Sequence, residues 1–192
     1  MNILAVLLSY VLGSVPTGFW LGLKLRGIDI REHGSKNIGA TNTMRVLGKK
    51  LGALALAGDA AKGLIAVLVF GRLGSWQYLP LACGLAAIAG HTASVFLRFK
   101  GGKGVATGGA VFAALAPAPT AISIGVFVAV VATTRMVSAG SIAAAVSLAA
   151  AVYVLGAQLP LQAAAAAVAL YVIYKHRANI ARILKGQENK IR

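Results

Sequence analysis

Residues 104–134 read GVATGGAVFAALAPAPTAISIGVFVAVVATT. At 31 residues this stretch is either one long kinked helix or a hairpin of two short ones, split at Pro117-Ala-Pro119. The choice sets the parity of the whole chain, six membrane crossings in the first case and seven in the second. Charge decides it. Cytoplasmic loops carry excess Lys and Arg because translocating them is unfavourable. With seven crossings, residues 24–50 (seven Lys/Arg), 98–103 (three), Arg135 and the 175–192 tail (six) share one side, 17 of the 19. With six, Arg135 and the tail change sides, and seven more basic residues lie outside. The hairpin reading wins. It predicts an all-α polytopic membrane protein of seven transmembrane helices, N-terminus outside and C-terminus cytoplasmic, built as a single domain over residues 1–192.

The remaining apolar runs are 3–23, 51–70, 78–97, 137–155 and, after the 156–160 turn, 161–174. The first has no Lys or Arg before it and Lys24, Arg26 and Arg31 after it. A secretory signal has the opposite polarity, so this run reads as an uncleaved first helix. The two hairpin arms are shorter than the roughly 20 residues a crossing usually needs. A short, Gly-interrupted membrane segment often marks a binding site, although a tilted or thinned-bilayer hairpin accounts for it equally well.

Composition agrees with the class. The chain is 58% hydrophobic, and its 23 glycines bring the apolar share to about 70%, far above ordinary soluble domains. Its net charge is +15 at a mean hydropathy of +0.80. In a polar chain that charge would point to nucleic acid; here it points to membrane lipid and anionic small molecules at one face. The single cysteine, Cys83, lies within an apolar run and reads as a small buried hydrophobe.

The chemistry-bearing residues gather on the predicted cytoplasmic side in three clusters. The first is HGSKNIGATNTMR, His33 to Arg45. Its small hydroxyl and amide residues expose backbone N–H groups, and a helix beginning near Thr41 or Asn42 would aim free amides at an anion. The second is RFKGGKGVATGG, residues 98–109. Glycines allow backbone to approach a phosphate as a nest of N–H donors, with charge from Lys100 and Lys103 and the dipole of the following helix. It is not a nucleotide P-loop, which would need Gly where Leu97 stands and Ser or Thr where Gly104 stands. The third is KHRANIARILKGQE, Lys175 to Glu188. Its His176 and Asn179 stand three apart, on one side of a continuing helix, and a tail that merely touched acidic lipid would require neither.

Other chemistries are missing from the pattern. No His is followed five positions later by Asp, and there is neither a Gly-x-Ser-x-Gly elbow nor a His-Glu-x-x-His zinc motif. With four carboxylates in the chain, neither a metal site nor a cofactor is expected. Asp59 and Lys62, three apart on one helix, can pair with each other. A transporter of an organic phosphate would use the same basic clusters. It should also show inverted repeats and ionisable groups along a path through the membrane, and no convincing repeat relates the halves.

Together the three clusters resemble the bacterial membrane acyl-phosphate:glycerol-3-phosphate acyltransferases. The family's Ser-x-Asn-x-Gly-Ala-Thr-Asn-x-x-Arg stands at Ser35 to Arg45, its Gly-rich phosphate loop at Lys100 to Thr107, and its His-Arg-x-Asn-Ile-x-Arg…Gly-x-Glu at His176 to Glu188. Lys36 stands where many relatives carry Gly, and Ile38 replaces a common Pro. The resemblance implies transfer of a fatty acyl group from acyl phosphate to the 1-hydroxyl of glycerol 3-phosphate, at the cytoplasmic face of the cell inner membrane. It implies Lys100, Gly101, Gly102, Lys103, Gly104 and Thr107 as phosphate binders. Ser35 and Arg45, with Asn37, Thr41 and Asn42, would orient and neutralise acyl phosphate. His176 and Asn179 would steer the attacking hydroxyl, Ser141 is a further substrate-binding candidate, and Glu188 would brace the tail through Arg or Lys.

Overall fold

The computed structural model describes residues 1–191. Among them, every regular element is helical. The chain divides into two compact units, Met1–Leu115 and Ala116–Arg192. The first holds α1 (Asn2–Ser14), α2 (Thr17–Arg26), α3 (Ala40–Leu47), α4 (Lys49–Leu68), α5 (Leu79–Thr92) and α6 (Val105–Leu115). Short 3-10 turns follow α4 at Phe70–Arg72 and α5 at Val95–Leu97. The second unit holds α7 (Pro117–Thr134), α8 (Val137–Val154), α9 (Leu159–Lys175) and α10 (Arg177–Leu184).

The 104–134 stretch breaks at Ala116, whose φ of −145° and ψ of 71° are not helical. It forms two helices, α6 and α7, as the proline pair implies. The second begins at Pro117, because proline's missing N–H and fixed φ suit a helix's first turn. Among the described residues, four segments are long and apolar enough to cross a membrane: Lys49–Arg72, Leu79–Leu97, Pro117–Thr134 and Val137–Val154. The 11 residues of α6 rise about 16 Å, roughly half a bilayer's hydrocarbon core.

The first apolar run departs from its reading as one straight helix. It breaks between α1 and α2, which meet at 44° and make a fifth crossing only as a bent pair. Pro16 supplies no N–H and holds Val15 out of the helical region, at φ −58° and ψ 112°. The Val15 carbonyl so displaced accepts a hydrogen bond from Lys62 Nζ at 2.9 Å.

Small residues let the helices of unit one approach closely, which is how membrane helices associate. A Cβ at Gly13 would strike the Ala87 backbone, and one at Gly90 would strike Tyr10 O and Ser14 N. Hydroxyls then tie the ends of α1 and α5, with Tyr10 Oη donating to Ala93 O at 2.8 Å and Ser94 Oγ to Ser14 O at 2.5 Å. Ala5 of α1, Ala66 of α4 and Leu79, Cys83 and Ala87 of α5 form a fully buried core. In unit two, Ser123 Oγ joins α7 to Ala144 O of α8 at 2.7 Å, and Ala164, Ala165, Ala169 and Val172 form the buried side of α9.

Helix α9 does not run straight on through the His176–Asn179 pair. It ends at Lys175, and α10 starts after His176 at φ −97° and ψ 6°. The His176 amide is shared between Val172 O and Ile173 O, both at 3.0 Å. The imidazole Nδ1 also takes Val172 O at 2.8 Å. A side chain that competes for a helix carbonyl loosens the turn at which it does so.

Candidate active site

In the first cluster, the 27–39 loop is held by one side chain. Asn42, fully buried on α3, donates from Nδ2 to Asn37 O at 2.8 Å, Ile30 O at 2.9 Å and His33 O at 3.2 Å. Its Oδ1 accepts from Ser35 N at 2.8 Å. Each such backbone group left buried and unpaired would cost about 1–3 kcal/mol. The donors of Asn42, expected to meet substrate, are therefore committed to the loop. Lys36 sits in the left-handed region at φ 57°, where a side chain costs about 1 kcal/mol and Gly costs nothing. Gly at this position would relieve that strain.

Asn37 Oδ1 accepts from Gly39 N at 2.9 Å, and α3 starts at Ala40 with no side-chain cap. Ser35, Asn37 and Thr41 are half-buried along this turn, and Arg45 is exposed on α3. At the loop's start, the Arg31 guanidinium grips Asp29 through contacts of 2.6–3.1 Å. That hydrogen bonding holds the Asp29 carboxyl below its ordinary value and raises Arg31.

The second cluster turns back onto the end of α5. Arg98 and Phe99 are both left-handed, at φ 51° and 61°. The turn lets Gly101 N donate to Thr92 O at 3.2 Å and Gly102 N to His91 O at 3.0 Å. The expected nest of glycine N–H groups is thus partly used internally, because the last carbonyls of α5 have no partner within their own helix. Close approach explains the glycines. A Cβ on Gly101 would strike His91 O, and one on Gly102 would strike the His91 imidazole. Gly104, at φ 78°, then leads from Lys103 into α6, which begins at Val105. Lys100 is exposed, Lys103 is half-buried, and Thr107 is buried with its hydroxyl donating to Asp59 O at 2.9 Å.

Beneath this loop lie three charged or polar side chains. Lys62 Nζ pairs with Asp59 Oδ1 at 2.9 Å, both side chains 3% exposed. The pairing is the one their spacing predicts. His91, also buried, places Nδ1 3.6 Å from the same Oδ1 and has no hydrogen-bond partner for that nitrogen.

The third cluster is built around Glu188. Its Oε1 accepts from Asn179 Nδ2 at 2.7 Å and Ser138 Oγ at 2.9 Å, and its Oε2 accepts from Arg182 Nε at 2.7 Å. Burial alone would raise this carboxyl, but the three donors outweigh it and hold it below the ordinary glutamate value. Ile191 N completes the tail by donating to Arg135 O at 2.8 Å. The bracing of the tail through Arg is as expected; the part of Ser138 was not anticipated. A serine one turn before Ser141 gives no hint of a partner 50 residues on. Ser141 itself is buried and donates to Val137 O at 2.8 Å.

The glycerol-3-phosphate acyltransferase family model matches residues 3–186. The chain belongs to that family. The glycerol-3-phosphate acyltransferase of Trichlorobacter lovleyi is 47% identical over 184 residues, covering 96% of this chain and 94% of that one. The one from Desulforudis audaxviator is 48% identical over 188 residues, covering 98% and 94%. The crystal structure of PlsY, an integral membrane glycerol 3-phosphate acyltransferase, in its glycerol 3-phosphate form superposes with a TM-score of 0.92. It is 38% identical and covers 100% of this chain and 96% of that one. Its lysophosphatidic acid form gives 0.90 at 37% identity. This chain is thus an all-helical integral membrane member of the acyltransferase family. Its first unit presents Ser35, Asn37, Thr41 and Arg45 on one polar turn and Lys100 to Thr107 on another, and its second unit holds His176, Asn179 and Ser141.

Proposed function

We propose that this acyltransferase moves a fatty acyl group from acyl phosphate to the 1-hydroxyl of glycerol 3-phosphate, giving lysophosphatidic acid and inorganic phosphate. The reaction takes place at the cytoplasmic face of the cell inner membrane, in a single domain that crosses the membrane seven times with its N-terminus outside. The observation that carries the reading is the family match over residues 3–186, with all three polar motifs present in order.

The chemistry suits the residues. Acyl phosphate is a mixed anhydride with a good leaving group, so direct attack needs no covalent enzyme intermediate. The hydroxyl oxygen bonds to the acyl carbon, the carbon–oxygen bond to phosphate breaks, and inorganic phosphate departs. Positioning and charge stabilisation are then what the protein must supply. Lys100 and Lys103 hold the phosphate of glycerol 3-phosphate before the start of α6, and Gly101, Gly102, Gly104 and Thr107 contribute by shaping the turn that presents them, the Gly101 and Gly102 amides and the Thr107 hydroxyl being donated within the fold. Ser35, Arg45, Asn37 and Thr41 orient acyl phosphate and its developing oxyanion, and Asn42 contributes by holding their loop. Ser141 lines the substrate region.

His176 is assigned to the attacking hydroxyl, with Asn179 beside it. A backbone carbonyl can only accept, so Nδ1 is the donor in the 2.8 Å contact with Val172 O. In this assignment the hydroxyl proton is received at Nε2, with Nδ1 kept on Val172 O. Purified protein mixed with acyl phosphate and glycerol 3-phosphate should release lysophosphatidic acid. Equal turnover with acyl-CoA would overturn the donor assignment.

A further inference from the structure

The buried Asp59–Lys62–His91 group takes no part in the reaction just described, yet it lies directly under the loop that reaction uses. His91 meets that loop twice. Its carbonyl accepts from Gly102 N at 3.0 Å, and its imidazole fills the space a Cβ on Gly102 would need, with Nε2, Cδ2 and Cε1 as the nearest atoms. On the other side, Nδ1 faces Asp59 Oδ1 at 3.6 Å, and Asp59 is fixed by Lys62 at 2.9 Å. Lys62 is in turn anchored on Val15 O at the break between α1 and α2, and the Asp59 carbonyl receives Thr107 at the start of α6. A nitrogen buried with a carboxylate at 3.6 Å and no hydrogen bond is costly, and orienting a neighbouring loop is a role that explains keeping it.

We propose that His91 is a positioning residue for glycerol 3-phosphate. Its imidazole, set in place by the Asp59–Lys62 pair, is the floor that fixes the height of Gly102 and hence of Lys100 and Lys103. The inference rests on reading residues 100–107 as the site of that substrate's phosphate. A floor of this kind acts on substrate binding and leaves the reacting atoms alone, so its loss raises KM for glycerol 3-phosphate more than it lowers kcat.

A double-variant cycle tests it in the full-length protein, assayed with acyl phosphate and glycerol 3-phosphate. Gly102→Ala should raise KM roughly tenfold by pushing on the ring, and His91→Ala should raise it by a comparable factor. Together, the added methyl enters the vacated space, so the pair should fall well below the product of the two single effects. His91→Gln, a polar and narrower replacement, carries the same cycle should His91→Ala fail to fold. Single effects that multiply in the pair overturn the proposal. Lys103→Gln separates it from the reading beneath it. If Lys103→Gln leaves KM unchanged, the phosphate assignment falls and the inference with it. If Lys103→Gln raises KM while His91 and Gly102 combine multiplicatively, the positioning role alone falls.

Discussion

Two buried carboxylates, one in each unit, are stabilised in opposite ways. Asp59 lies within a membrane-spanning helix and leans on a single cation, Lys62, with His91 beyond hydrogen-bond length. Glu188 lies in the C-terminal tail and has both oxygens satisfied by an amide, a hydroxyl and a guanidinium. The first arrangement is an ion pair in an apolar setting, where removing one partner strands the other. The second is a hydrogen-bonded clasp, in which neutral donors share the load and chain segments far apart in sequence are drawn together. An ion pair of the first kind suits a rigid floor; a clasp of the second suits closing a tail.

Substitutions test how differently the two units depend on their buried polar groups. The largest effect should come from His176→Ala, which should cut turnover by about 10²–10⁴-fold while the thermal unfolding midpoint stays near that of the parent. Near-normal turnover would remove His176 from the mechanism. Next, Lys62→Met should destabilise the fold by about 3–5 kcal/mol, and the double variant with Asp59→Asn should recover part of that loss. A double variant as unstable as the single one would mean that Asp59 is not stranded when Lys62 is removed.

Asn42→Ala should cost about 2–3 kcal/mol by leaving several loop groups unpaired, measured as a shift in the unfolding midpoint of detergent-solubilised protein. Glu188→Gln should act through pH. The carboxyl is held low in the folded chain, so its contribution is complete above the ordinary glutamate value, about 4.3. It fades as pH falls from there through the folded value. The Gln variant should flatten that acid limb of the stability profile, and an unchanged limb would contradict the clasp. Smallest of all, Arg31→Gln should change stability by less than about 1 kcal/mol, because its pair with Asp29 is open to water.

Much of the fold was legible along the chain. Apolar runs and proline breaks are local signals, so α4, α8 and the split at Ala116 fall close to where they were expected. The break at Pro16 was equally visible as a proline in mid-run, but the length of the run concealed it. The Asp59–Lys62 pair was readable from a spacing of three. The four partners of Asn42 were not. Its role depends on where Ile30, His33, Ser35 and Asn37 turn their backbone groups, and residue type says nothing about that. Gly101 and Gly102 invited a phosphate nest because glycine allows backbone to approach a ligand closely. The structure uses the same freedom to bring them against His91.

Composition and order were enough to establish membrane class, helical content and family, since hydrophobic periodicity, charge and motif residues are properties of short stretches. Tertiary structure alone assigned the work of individual polar groups. It committed Asn42 to a loop, Glu188 to Ser138 across 50 residues, and His91 to the underside of Gly102. The physical reason is that a buried donor or acceptor must find a partner, and which partner it finds depends on how distant segments pack.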